Sequence, residues 1–195
     1  MARPREFDPS EALEKVTRVF WKRGYQATSL RDLMKATNLS KQSLYSAFGD
    51  KRALFLKALH HYREQNASAL ASLDRQQKSP LDTLRETMIY AAFRSELIHC
   101  PPGCLVANTT VELGSDDPEI LREIEAMNNT LLRYFNSVLR EGQRERQITS
   151  AITSKALARF LLNTLNGIRI LEKAATPRRE IQSVIDVALQ SIRAV

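Results

Sequence analysis

Residues 28–51 constrain the fold of this chain more than any other stretch, because their pattern predicts two short helices joined by a tight turn. The first helix is expected to begin at Thr28 or Ser29, whose hydroxyl can accept a hydrogen bond from an otherwise unpaired backbone N–H. Asn38 tolerates the left-handed conformation that a tight turn requires. Ser40 then begins the second helix as its N-cap. The stretch therefore predicts a helix-turn-helix unit.

The second of these helices has little apolar surface to bury. Its apolar residues are Leu44, Ala47 and Phe48. The other positions offer hydrogen-bond donors and acceptors, at Lys41, Gln42, Ser43, Tyr45 and Ser46. A helix this polar needs a partner other than a protein core.

Positive charge is concentrated in the same part of the chain. Residues 1–57 carry twelve Lys or Arg against six Asp or Glu, whereas residues 58–195 carry seventeen against sixteen. A basic domain attracts phosphate by Coulomb steering and gains further affinity from counterion release. Basic charge alone would bind any polyanion, but a basic domain with a defined polar helix is typical of a DNA-reading module.

The N-terminal part of the chain, from Arg3 to Leu56, resembles the DNA-binding domain of the TetR family of transcriptional regulators, also called TetR/AcrR. The resemblance is carried, in order and spacing, by Phe20, Gly24, Tyr25, Thr28, Ser29, Leu30, Leu33, Leu39, Ser40, Leu44, Tyr45, Phe48, Lys51 and Leu54. It implies a helix-turn-helix DNA-binding domain at residues 1–57 and a larger helical domain for effector binding and dimerisation at residues 58–195. Beyond residue 60 the resemblance is architectural.

The remaining sequence also predicts helices, since the chain has only six glycines and no alternating strand pattern. We therefore expect an all-α fold with three short N-terminal helices followed by longer ones. The predicted helices outside the motif are Pro9–Arg23, Lys51 to about Asp74, Leu81–Leu97, Cys104–Leu113, Glu119–Arg146, Thr153–Ala174 and, capped by Thr176, Pro177 to about Arg193.

Composition narrows the cellular setting. A chain of 195 residues with 43% hydrophobic content can bury a sizeable core. No apolar run is long enough to span a membrane, and no apolar signal-peptide segment follows the basic start. The two cysteines suit a reducing compartment without structural disulfides. These features predict a cytoplasmic protein.

The sequence offers no motif for catalysis. A phosphate-cradling glycine loop, a nucleophile elbow and a zinc-binding His pair on a helix are all missing from the pattern. We therefore predict that the chain is not an enzyme and has no cofactor. A helical protein-interaction module is the alternative from another class, although it would not explain the polar second helix or its charge.

The position of each side chain in the predicted motif suggests how it would contact double-stranded DNA. The second helix of such a unit enters the major groove, where Lys suits the acceptors of guanine and Gln suits the paired groups of adenine. We assign base or groove contact to Lys41, Gln42, Ser43 and Tyr45. We assign phosphate contact to Thr28, Ser29, Tyr45, Ser46 and Lys51.

The last two predicted helices carry extensive apolar faces. On the first of them the apolar residues are Leu157, Phe160, Leu161, Leu165 and Ile168, and on the second they are Ile181, Val184, Ile185, Leu189 and Ile192. Such faces suit either a pair within one chain or a four-helix interface between two copies. The family resemblance favours the homodimer, which would act as a repressor on a pseudo-palindromic operator.

The resemblance also implies a small-molecule effector in the larger domain. Polar residues that interrupt its apolar helices are the candidates for lining such a site, namely Asn108, Glu112, Asn128, Tyr134, Asn163 and Asn166, with Arg169 beside them. Each of them could instead cap a helix, pair across a dimer or face water.

The stretch His99–Cys104, HCPPGC, gives a second hypothesis about sensing. Cys100 and Cys104 lie on a Pro-rich loop, and Cys104 precedes a predicted helix whose N-terminus would stabilise a thiolate. A thiol-based sensor of oxidants or electrophiles would use both residues. The alternative is an inert Cys104 packed as a small apolar side chain. The spacing of His99, Cys100 and Cys104 fits no established zinc pattern, so we predict no metal site.

Overall fold

The computed structural model of the chain describes residues 7–74, 78–114 and 117–194. All regular elements in these ranges are α-helices, which confirms the all-α prediction. They are α1 (Pro9–Arg23), α2 (Leu30–Thr37), α3 (Lys41–Phe48), α4 (Lys51–Asp74), α5 (Pro80–Ala92), α6 (Arg94–Ile98), α7 (Leu105–Leu113), α8 (Pro118–Arg144), α9 (Ser154–Lys173) and α10 (Arg178–Gln190). Among the described residues, none of the helices combines the length and the apolar character needed to cross a membrane.

The described chain divides into two compact units. Unit 1 contains the residues up to Gln65 together with Leu105–Ile124, and unit 2 contains Asn66–Cys104 together with the residues from Glu125 onward. Unit 1 therefore holds α1, α2, α3 and α7, the first part of α4 and the start of α8.

Aromatic side chains form the centre of unit 1. The Phe55 ring lies 4.9 Å from the ring of Phe20 and 4.9 Å from that of Tyr25, and Trp21 meets Tyr62 edge to face at 4.9 Å. Such pairs contribute about 0.5–1.5 kcal/mol each beyond their buried area. They hold α1 against α4, the two helices that flank the helix-turn-helix in the sequence.

In unit 2, α5 packs against both α9 and α10. Its core includes Leu84, Met88, Phe135, Leu161, Leu165, Ile185 and Leu189. Of the ten apolar residues predicted on the last two helices, eight are already buried within the single chain, at Leu157, Leu161, Leu165, Ile168, Ile181, Ile185, Leu189 and Ile192. The apolar periodicity showed that these residues would be covered, but it could not distinguish cover by α5 from cover by a second copy.

Two of the predicted helices differ from those in the structure. The helix expected at Leu81–Leu97 is interrupted at Phe93, which leaves the helical conformation (φ −122°, ψ 22°). Neither Pro nor Gly marks this break, and the Phe93 ring is buried against the guanidinium of Arg178, 3.8 Å from the ring centroid. Tertiary packing therefore accompanies the break without a local sequence signal.

The last helix also differs from its predicted form. Pro177 is the N-cap of α10 and no side chain caps this end, so Thr176 does not have the predicted role. The helix ends at Gln190 because the residues after it pair with the chain before α9, where Thr149 N–H donates to the Ile192 carbonyl at 2.9 Å and Ala194 N–H to that of Gln147 at 3.0 Å.

Candidate nucleic-acid interface

A reciprocal capping box fixes the start of α2. Ser29 is the N-cap: its Oγ accepts the Asp32 N–H at 3.2 Å, while the Asp32 carboxylate accepts the Ser29 N–H at 2.9 Å. The Ser29 hydroxyl also donates to the Asp32 carboxylate at 2.6 Å. This hydrogen bond, the one from the Ser29 N–H and the nearby Arg23 guanidinium lower the pKa of Asp32 below its ordinary value. Two donors left over at the helix end are thereby satisfied by residues three apart in sequence.

The turn between α2 and α3 has the predicted chemistry. Asn38 adopts the left-handed conformation (φ 59°, ψ 28°). Ser40 is the N-cap of α3, and its Oγ accepts the Ser43 N–H at 3.1 Å. Gly49, at φ +87°, then ends α3. These local signals place α3 directly after α2, as a helix-turn-helix requires.

The two sides of α3 have opposite character. Leu44 and Phe48 are buried, whereas Lys41, Gln42 and Ser46 are exposed and Ser43 and Tyr45 are half-buried. At about 100° per residue, the four positions 41, 42, 45 and 46 fall within an arc of roughly 140° on the helix. The Lys41 ammonium lies 5.7 Å from the centroid of the Tyr45 ring. Most of the residues assigned to base or groove contact are thus brought together on one accessible surface.

The residues assigned to phosphate contact differ in accessibility. Ser29 and Ser46 are exposed and Lys51 is half-buried, with its ammonium 4.6 Å from the centroid of the Tyr25 ring. Thr28 is only 1% exposed, and its hydroxyl donates to the Gly24 carbonyl at 2.6 Å. In the chain as described, Thr28 therefore stabilises the loop before α2, and its phosphate contact stays a prediction.

An ion-pair cluster links α4 to the start of α8 within unit 1. The Arg52 guanidinium donates to both Asp117 carboxylate oxygens, at 2.7 and 2.9 Å, and forms a further ion pair with Glu119 at 2.5 Å. Arg63 pairs with Glu123 at 3.1 Å. The Arg52 guanidinium and the N–H groups at the start of α8 lower the pKa of Asp117 to about 2.

This depressed pKa predicts how the ion pair depends on pH. Because the folded pKa of Asp117 lies below its unfolded value, the stabilisation is fully present above about pH 4 and is lost as the pH falls toward 2. We expect Asp117→Asn to lower the free energy of unfolding at pH 7, with the difference from the unsubstituted protein shrinking toward pH 2. Urea titrations at pH 7, 4 and 2.5 would measure this.

Glu125→Gln is the matched control, since Glu125 is an exposed acid on α8 without an ion pair among the described residues. Its effect on unfolding should be small at each pH. A difference between Asp117→Asn and the unsubstituted protein that stays constant from pH 7 to 2.5 would contradict the assignment.

The six effector-site candidates are distributed over both units. Asn108 and Glu112 belong to unit 1, where Glu112 accepts hydrogen bonds from the backbone N–H groups of Tyr25 and Gln26. The other four lie in unit 2. Of these, Asn163 is exposed, Asn128 and Asn166 are half-buried, and the Tyr134 hydroxyl lies 2.9 Å from that of Thr87.

Unit 2 contains a small interior cavity that the sequence did not predict. Its lining consists of Asn66, Ala69, Leu70, Thr87, Tyr90, Ala91, Leu131, Leu165 and Arg169. In this conformation it has room for about one water molecule. Of the polar residues considered from the sequence for an effector site, Arg169 lines it directly. Asn66 and Thr87 look like ordinary surface polar residues of amphipathic helices, so no sequence signal marked them.

Cys104 lies directly before α7 and beside a buried cation. The Arg169 Nη1 donates to the Cys104 Sγ at 3.1 Å, and both side chains are buried. Cys100 is half-buried. Within the described ranges, no group of His, Cys, Asp and Glu side chains is arranged to hold a metal ion.

Comparisons with known proteins agree with this geometry. The family model of bacterial regulatory proteins of the tetR family matches residues 13–58, and that of the tetracyclin repressor-like C-terminal domain matches residues 80–188. The chain is 29% identical over 191 residues to the uncharacterized HTH-type transcriptional regulator YezE of Bacillus subtilis, covering 97% of this chain and 98% of YezE. It is 28% identical over 189 residues to the HTH-type transcriptional repressor ComR of Escherichia coli, covering 96% and 90% of the two chains.

A similar solved structure includes DNA. It is a cysteine mutant of the TetR family transcriptional regulator CifR in complex with 26-base-pair double-strand operator DNA, with a TM-score of 0.85 and 29% identity over 97% of this chain and 99% of that one. The matched family models cover both the helix-turn-helix and the helices after it. The chain therefore belongs to the tetR family of bacterial regulatory proteins and is a DNA-binding transcriptional regulator.

Proposed function

We propose that this regulator is a cytoplasmic repressor that binds a pseudo-palindromic operator as a homodimer and is released by a small-molecule effector. The main support for operator recognition is the accessible polar surface of α3 at positions 41, 42, 45 and 46. Leu44 and Phe48 of the same helix are buried in the core. ComR, a relative over most of the chain, is named a transcriptional repressor. We propose no catalytic activity for this protein.

Within this proposal, residues 1–57 bind DNA and residues 58–195 bind the effector and form the dimer. Unit 1 extends beyond the first range, because Leu105–Ile124 packs with the helix-turn-helix region. Lys41, Gln42, Ser43 and Tyr45 are proposed to contact bases, and Ser29, Ser46 and Lys51 to contact phosphates. These roles match the exposed or half-buried state of each side chain.

The dimer is supported by apolar side chains that the single chain leaves uncovered. Ile170 and Val187 are 60% and 69% exposed, and Phe160 and Val184 are also exposed on the same two helices. Gly167 lies in the middle of α9, and a Cβ placed there would have no neighbour within 4 Å in the described part of the chain. Glycine costs about 1 kcal/mol relative to alanine inside a helix. Nothing among the described residues compensates for this cost, whereas close approach of a second α9 would.

Footprinting on the DNA upstream of the gene tests the whole proposal. A dimer should protect two related half-sites whose centres are about one helical turn, or a multiple of it, apart. The small molecule that serves as effector should abolish this protection. Uniform protection of any duplex at the same protein concentration would argue for charge alone and against a regulator with an operator.

A thiol-based sensor remains the second candidate, because one contact favours it. A guanidinium beside a sulfur and the N-terminus of a helix both stabilise a thiolate, whereas burial opposes it. Cys104 has all three features, with Arg169 as the cation and α7 as the helix. A maleimide would react by addition: the Cys104 sulfur forms a bond to one carbon of the C=C double bond, the π bond breaks, and the thiol proton is replaced by one taken up at the other carbon.

Replacement of the sulfur tests this mechanism directly. If the thiol is the sensor, Cys104→Ser should keep operator affinity within about threefold but lose release by N-ethylmaleimide, used as the electrophilic probe. Cys100→Ser tests the contribution of the other thiol. Cys100 is half-buried and lies before the loop glycine. Unchanged release of Cys104→Ser by the probe would rule the mechanism out at this residue.

A further inference from the structure

One carboxylate holds the loop between α1 and α2. Glu112, on α7, accepts the Tyr25 N–H with Oε2 at 2.9 Å and the Gln26 N–H with Oε1 at 2.6 Å. Both bonds are charge-assisted, and together they engage both carboxylate oxygens with consecutive backbone donors. The loop precedes Ser29, the N-cap of α2, by only a few residues.

The glycine before these two donors makes the approach possible. Gly24 has φ +81°, and a Cβ placed on it would lie 2.5 Å from the Glu112 Oε2. Any side chain at this position would therefore displace the carboxylate. A second residue of α7, Asn108, reaches the end of α1 through a hydrogen bond of 3.4 Å to the Trp21 carbonyl.

The loop is also connected to the residues that face DNA in the proposed function. The Tyr25 ring packs on Phe55 and lies beneath the Lys51 ammonium, and burial with the negative charge of Asp50 raises the pKa of Tyr25. The Thr28 hydroxyl closes the loop onto the Gly24 carbonyl. A loop held at Tyr25 and Gln26 thus fixes where α2 starts.

We propose that Glu112 is a positioning residue for operator recognition, holding the α1–α2 loop so that α2 and α3 meet the DNA in one orientation. This role rests on the DNA-binding function of the family and does not depend on the proposed dimer or effector. The role lies on α7, a helix outside the helix-turn-helix, and it assigns Glu112 to the loop and not to an effector.

The direction in which Glu112→Gln changes operator affinity distinguishes a positioning role from an effect of charge alone. Glu112→Gln removes one negative charge, so Coulomb attraction alone would raise the affinity for any duplex. The amide has a single acceptor oxygen, so at most one of its two side-chain atoms can still accept from the loop N–H groups. A positioning role therefore predicts weaker operator binding despite the added positive charge.

The experiment compares Glu112→Gln with Glu125→Gln, which makes the same charge change at an exposed position of α8. Fluorescence anisotropy gives the operator and scrambled-duplex affinities, and NMR hydrogen exchange gives the protection of the Tyr25 and Gln26 amides. We expect Glu112→Gln to bind the operator about tenfold more weakly, to bind scrambled duplex no more weakly, and to exchange at least one of these two amides about tenfold faster or more. Glu125→Gln should match the unsubstituted protein in all three measurements or bind both duplexes slightly more tightly.

Two results would overturn the proposal. One is operator binding by Glu112→Gln as tight as by Glu125→Gln. The other is weaker operator binding by Glu112→Gln with unchanged exchange of both the Tyr25 and the Gln26 amides. Glu112→Asp, which keeps the charge and shortens the reach by one methylene, provides a second test, and its operator affinity should also fall. Thermal melts of the three variants show whether the fold is retained.

Discussion

Gln42→Ala is expected to weaken binding to the operator by about 5- to 150-fold while leaving binding to scrambled duplex unchanged. A bidentate contact between an amide side chain and a base contributes roughly 1–3 kcal/mol of discrimination, and the substitution leaves the charge of the protein unaltered. Gln42 is exposed on the first turn of α3, so its loss should not affect stability. Anisotropy titrations with both duplexes would measure the two affinities.

Lys41→Ala should also lose more affinity for the operator than for scrambled duplex. Because it removes a positive charge, its affinity for both duplexes should fall by a further, electrostatic amount. Its matched control is Lys35→Ala, which removes the same charge from an exposed position of α2. Lys35→Ala should lower the affinity for both duplexes by the same modest factor. It reduces the attraction to phosphate but leaves the exposed side chains of α3 unchanged. Equal losses for Lys41→Ala and Lys35→Ala on both duplexes would show that α3 does not read bases in the proposed way.

Ile170→Glu combined with Val187→Glu is expected to convert the dimer to a monomer and to lower operator affinity by about 100-fold or more. The loss follows because linking two binding modules gains roughly 10²–10⁴ in avidity, which a monomer forfeits. Both side chains are more than half exposed in the single chain, so a charge there should not unfold it. Sedimentation velocity gives the mass and anisotropy gives the affinity.

Leu97→Glu is the control for this substitution. Leu97 is an apolar residue on α6 with 59% exposure, comparable to that of Ile170, but it lies outside α9 and α10. It should leave both the mass and the affinity unchanged. A dimer that persists in the Ile170→Glu, Val187→Glu protein would place the interface on another surface.

Local capping chemistry explains why the N-terminal helices were predictable. Asp8, Ser29 and Ser40 are N-caps, Gly24 and Gly49 end helices, and Asn38 takes the left-handed turn. Each of these effects acts within four residues of the position that causes it. The sequence alone therefore located α1, α2 and α3 to within one or two residues.

The features that the sequence could not predict all depend on distant partners. Phe93 breaks a helix beside Arg178, and Glu112 binds a loop that lies 86 residues away in sequence. Glu112 looked like a polar interruption of an apolar helix, which suits an effector site and a loop contact equally. Only the fold decides which partner meets such a side chain.

The most direct test of the central claim is a fluorescence-anisotropy titration of the protein against the DNA upstream of its gene, with scrambled duplex as control, across a range of salt concentrations. Sequence-specific reading predicts tight binding to the upstream DNA, saturation at two chains or a multiple of two per duplex, and a preference over scrambled duplex of about 10³-fold or more. Indistinguishable binding of the two duplexes with the same steep salt dependence would contradict it, because only phosphate attraction would then be acting.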